Sequence, residues 1–159
     1  MAEGLNALSE DMDVTEIHPA DKIAITELVA RYNHAIDHQD AVTWANLFTE
    51  DGILITNDQI RAQGRTALLA YAQSAPPEGR SRRHWTSNVL IEIDGNTATL
   101  KAYVMVFNLA EGLSAPYLMA EYDDCLVKSD GQWRFRLRHM RVLAGRSFDD
   151  MLREKTARL

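Results

Sequence analysis

The sequence predicts an α+β fold, with helices first and a run of long antiparallel strands afterwards. Three observations carry this reading. Ile25, Leu28, Val29, Tyr32 and Ile36 fall at i, i+3, i+4, i+7 and i+11, which is one stripe of a helix. From Arg82 onward the apolar period drops to two. Two turn signals, Asp94-Gly95-Asn96 and Ser129-Asp130-Gly131, then divide the second half into hairpins. A strongly curved sheet wrapped over the helices would leave a cone-shaped interior.

Residues 1–19 are acidic, weakly apolar and without period, which predicts a flexible arm closed by Pro19. Asp21 is placed to cap a first helix over about residues 22–37. Asp40 opens a short second helix whose Val42, Trp44, Leu47 and Phe48 would pack back on the first, and Asp51-Gly52 breaks it. Ile53 to Thr56 reads as a buried strand, Asn57-Asp58 as a turn, and Gln59 to Ala62 as the returning strand. Gly64 precedes a third helix from Arg65 to about Ser74, which Ala75-Pro76-Pro77-Glu78-Gly79 ends.

His84, Thr86, Asn88 and Leu90 then alternate with Trp85, Ser87, Val89 and Ile91 along a strand. Ala98 to Asn108 returns beside it, and Tyr117–Lys128 with Trp133–Leu143 forms a second long hairpin. Ser147 is placed to cap a final helix within residues 146–159, leaving 20–145 as one domain.

A length of 159 residues accommodates one such domain with a proper core. The net charge of -6 argues against nucleic acid or an anionic membrane surface as the main partner. Arg80-Ser81-Arg82-Arg83 and the stretch from Arg134 to Arg141 are short, interrupted basic clusters, read as solvated faces. Cys125 stands alone, so no intrachain disulfide forms. With no secretory leader pattern and no membrane-length apolar run in view, a cytoplasmic protein is expected.

One residue in the first helix is out of place. Asp37 comes directly after Ile36 at the edge of the apolar stripe, and a carboxylate there is costly to bury without a partner. His84 is the candidate. A histidine base suits removal of a proton next to an electron-withdrawing group, because its ordinary pKa of roughly 6.5 lies near working pH. A carboxylate on one ring nitrogen fixes the tautomer and steadies the imidazolium, and a phenol such as Tyr32 can donate to a developing oxyanion. Elimination of this kind needs neither metal nor cofactor, and no motif for either is present. His34, Asp37 and His38 do not form a metal cluster, since neighbouring helix positions spread around the axis.

The spaced motifs resemble the SnoaL-like families of the nuclear transport factor 2-like superfamily over roughly residues 20–145. The matching residues begin with Tyr32 and Asp37, then Asp40, Phe48, Asp51 and Gly52, then Gly64 and Arg65. His84 and Asn88 come next, then Asp94, Gly95, Asn96 and Ala98, then Tyr122 and Asp124, and last Gly131, Trp133, Arg134 and Phe135. The resemblance implies a cone-shaped domain whose curved antiparallel or mixed sheet wraps over the N-terminal helices.

Tyr-x4-Asp on the first helix, with a histidine opening a later strand, is most similar to the scytalone dehydratase, bile-acid dehydratase and dehydrochlorinase branch. The roles it implies are His84 as base, Asp37 as orienter and Tyr32 as hydrogen-bond donor in a dehydratase or HX-eliminating lyase. An isomerase or polyketide cyclase using the same pocket, or a non-catalytic ligand-binding or dioxygenase-small-subunit-like module, are the alternatives within the superfamily. It also implies a homo-oligomer, dimeric or trimeric.

Alternation adds candidates for the pocket wall of a small hydrophobic cyclic substrate. Asn88 shares a face with His84, and Tyr103, Met105 and Phe107 form one face of the next strand. His139 shares a face with Phe135 and Leu137, and Asp124 is a substitute carboxylate for His84. Trp85, opposite His84, is assigned to packing or a subunit contact.

Overall fold

The computed structural model describes residues 19–110 and 116–145. Helices α1 (Pro19–Asp37) and α2 (Ala41–Asn46) precede the hairpin of β1 (Phe48–Thr56) and β2 (Gln59–Gln63). Helix α3 (Arg65–Gln73) and a 3-10 turn at Pro77–Ser81 come next. Four long strands complete the described chain: β3 (Arg82–Asp94), β4 (Thr97–Asn108), β5 (Leu118–Ser129) and β6 (Gln132–Gly145). They form one curved six-stranded sheet in the order β2-β1-β6-β5-β4-β3. Among the described strands only the β1–β6 pairing is parallel, so the sheet is mixed. The expected N-terminal arm, apart from Pro19, and the expected helix after Ser147 lie outside the described residues.

Helix α1 buries the predicted stripe, with Ile25, Leu28, Val29 and Tyr32 enclosed and Ile36 partly so. Each such side chain contributes on the order of 1.5–3 kcal/mol on leaving water. The helix starts at Pro19, because proline fits the first helical position, where its missing N–H costs nothing. Asp21 is therefore inside the first turn instead of capping it. Its Oδ1 accepts from Lys128 Nζ at 2.7 Å and from Trp133 Nε1 at 2.8 Å, tying the helix start to the β5–β6 hairpin.

Asp40 does cap α2, accepting from the Thr43 amide at 3.0 Å. Phe48, expected in that helix, opens β1 instead, and its ring joins Tyr32, Trp44 and Phe135 with centroids 5.0–6.2 Å apart. Strand β1 is irregular between Phe48 and Ile53, where Gly52 presses on Phe48; an added Cβ would stand 2.8 Å from Phe48 Cβ. Arg65, from the Gly64-Arg65 motif, bonds to the Asn46 side chain and the Phe48 carbonyl, fastening α3 to this junction.

The alternation on β3–β6 decides which side chains face the helices. On β4 the inward set is Ala98, Leu100, Ala102, Val104 and Val106. On β5 it is Leu118, Ala120, Tyr122, Asp124 and Leu126.

Candidate active site

Asp37 is the last residue of α1, and its carboxylate is buried against the start of β3. Oδ1 lies 2.6 Å from His84 Nδ1, and Oδ2 accepts the His84 backbone N–H at 3.1 Å. One carboxylate thus fixes both the strand and the ring. With Nδ1–H donated to Asp37, the lone pair is on Nε2, at the opposite edge of the imidazole.

His84 lines a cavity of about 110 Å³ between α1, α2, α3 and the sheet. Its apolar wall includes Ile36, Leu54, Val106, Leu118 and Met140. Tyr32, Trp44 and Tyr122 give it an aromatic side. The size is of the order of the ~150 Å³ of an apolar cavity that admits benzene, which limits a ligand to about a single small ring. Tyr32, Trp44 and Tyr122 are buried, whereas Gln39, Ala75, Arg82 and Tyr117 are partly exposed and mark the mouth.

Behind the aromatic side lies a buried ion pair. Arg138 donates to Asp124 from Nε at 3.1 Å and from Nη2 at 2.7 Å, and both side chains are 0% exposed. The guanidinium lies 4.1, 3.9 and 4.1 Å from the ring centroids of Tyr32, Tyr122 and Phe135. Arginine keeps its proton, and it gives Asp124 a permanent counter-charge.

Burial raises the Tyr32 pKa; the Arg138 charge and the Trp44 and Arg138 N–H groups oppose this without cancelling it, so the phenol is protonated at neutral pH. Trp44 Nε1 and Arg138 Nη1 nevertheless close no hydrogen bond among the described residues. Burial pushes the Tyr122 phenol up as well, with the neighbouring Tyr32 as the next contribution.

Several predicted wall residues are elsewhere. Tyr103, Met105 and Phe107 alternate with Val104 and Val106 on β4, and it is the valines that face inward; the three larger residues are on the outer face. Trp85 shares that face, its ring 6.1 Å from Phe107. His139 is also turned outward, because the β5–β6 register slips between Cys125 and Leu126 and leaves Arg136 as an extra residue. Past that bulge Arg138 and Met140 face in, and His139 approaches Asp58, Nε2 to Oδ1 at 3.3 Å.

Asn88 occupies a second bulge, with φ 53°, and is exposed on the outer face instead of joining His84 in the cavity. Asp124 serves Arg138 and not His84. Arg138 belongs to the Arg134 to Arg141 stretch expected to be a solvated face, and is instead fully buried. The available signal was Tyr122-x-Asp124, which puts an aspartate on the same inward face as a core tyrosine and so demands a cation on a neighbouring strand.

Comparison with known proteins agrees with this fold. Residues 19–139 match the family model of the SnoaL-like domain. No curated protein matches the sequence. A protein of unknown function from Mycobacterium tuberculosis is similar at 34% identity and TM-score 0.69, over 85% of this chain and 80% of that one. A Nostoc punctiforme protein of unknown function with a cystatin-like fold is 30% identical, TM-score 0.71, over 80% and 94%. A protein from Novosphingobium aromaticivorans assigned as a scytalone dehydratase is 25% identical, TM-score 0.69, over 79% and 85%.

Proposed function

Because this chain belongs to the SnoaL-like domain family, we propose that it is a cofactor-free lyase that eliminates water, or HX, from a small hydrophobic cyclic molecule. The observation that carries this is the 2.6 Å contact between His84 Nδ1 and Asp37, on a histidine that lines a mostly apolar cavity. The likeness to the assigned scytalone dehydratase supports the same class.

In the proposed reaction, Nε2 of His84 removes a proton from the carbon beside a carbonyl. The C–H electron pair becomes the new C=C bond as the C–O bond on the next carbon breaks. Asp37 holds the imidazolium while it exists. The proton on Nε2 then passes to the departing hydroxide, which leaves as water and restores the neutral imidazole beside the Asp37 carboxylate. Tyr32 donates its O–H to the carbonyl oxygen as charge develops there. One observation favours that direction: burial keeps the phenol protonated, so it has a hydrogen to donate to an acceptor in the cavity.

The test is turnover of cyclic β-hydroxy ketones, read from the ultraviolet absorbance of the enone. His84→Ala should lose about 10²–10⁴ in kcat with its melting temperature held. Wild-type turnover in that variant would overturn the assignment.

A further inference from the structure

Of the basic stretch Arg80-Ser81-Arg82-Arg83, which the sequence suggests is a solvated face, Arg82 lines the cavity at its mouth. Arg82 opens β3 two residues before His84 and lines the same cavity, so their Cα atoms are about 7 Å apart on one strand face. Its guanidinium is held 5.3 Å from the centre of the Tyr117 ring, which is also at the mouth. Arg82 is the one permanently charged side chain in the cavity wall among the described residues.

Its neighbours Arg80 and Arg83 are not part of the cavity wall among the described residues. Arg80 Nε donates to Gln39 Oε1 at 2.9 Å, and Arg83 Nη1 donates to the Arg80 and Arg82 carbonyls at 2.9 and 2.6 Å. Arg82 therefore brings a positive charge to the cavity wall of a chain whose net charge is -6.

We propose that Arg82 is the specificity-determining residue for an anionic oxygen on the substrate, so that the ligand class is a small ring bearing a carboxylate or ionised phenol. This rests on the cavity reading above. The acidic group would sit at the mouth, with the reacting carbon about one ring's width deeper, at His84. A guanidinium offers five donors in a planar fork, which suits a carboxylate while contact with an aromatic face is kept. The Arg82 charge would draw the anion in, an effect that salt screens.

The experiment is calorimetric titration of the full chain with benzoate and with the neutral isostere benzamide, at low and high salt. The wild type should bind benzoate at least tenfold tighter, with the gap shrinking as salt rises. Arg82→Met should close the gap, and Arg82→Lys should keep part of it. Equal binding of the two compounds by the wild type, or a gap that survives Arg82→Met, overturns the anion assignment but leaves the cavity reading standing. Binding of neither compound overturns both.

Discussion

The Asp37 carboxylate holds His84 twice, at ring Nδ1 and at the backbone N–H, from the C-terminal end of the helix that carries Tyr32. Asp37→Asn keeps the shape but can present an N–H to Nδ1 and favour the wrong tautomer. Activity should fall by about 10² or more while the melting temperature moves little. Asp37→Ala should in addition cost about 1–3 kcal/mol in urea unfolding, since the His84 amide loses its acceptor. A fully active Asp37→Asn enzyme would remove the orienting role.

Tyr32→Phe deletes the proposed donor and keeps the ring stack with Trp44 and Phe135. The expected loss is about 10²–10³ in kcat with little change in KM. A pure KM effect would place the hydroxyl in ground-state binding.

The Arg138–Asp124 pair should behave as a buried unit. Arg138→Met or Asp124→Leu alone strands a charge at 0% exposure and should cost about 3–5 kcal/mol. The double variant should recover most of that loss, as read by chemical denaturation. Additive single costs would show that the two side chains act separately.

Gly52→Ala would bring a methyl to 2.8 Å from Phe48 Cβ and 3.0 Å from the Thr49 carbonyl oxygen. Overpacking there should cost about 1–3 kcal/mol. The loss should appear as a lower urea midpoint with an unchanged slope.

The Asp40 cap gives a pH signature. Hydrogen bonding to Thr43 holds its carboxyl below the ordinary value of 3.8. A folded-state pKa lowered in this way stabilises the protein above 3.8, and that stability is lost as pH falls through the folded value. Asp40→Ala should therefore melt earlier than wild type at neutral pH, and the two melting curves should converge in acid.

The helix stripe, the turns and the α-then-β order were legible because they are local. A 3.6-residue period, a capping aspartate and an Asp-Gly turn act on neighbouring residues, and a buried-edge Asp37 announces that it needs a partner. Alternation along a strand gives two faces but does not name the inner one. The packing of α1 against β3 and β6 does that, and it placed Val104 and Val106 inside where Tyr103, Met105 and Phe107 were expected.

The bulges at Arg136 and Asn88 are also tertiary decisions. Each adds one residue to a strand and reverses the facing of the residues beyond it, which exchanged His139 for Arg138. By itself, then, the sequence determined the family of fold and the residues able to do acid–base chemistry, because period and side-chain type are properties of the chain. Only the tertiary structure decided which of them share a cavity, because that depends on strand register, and a slip of one residue turns every later side chain to the opposite face.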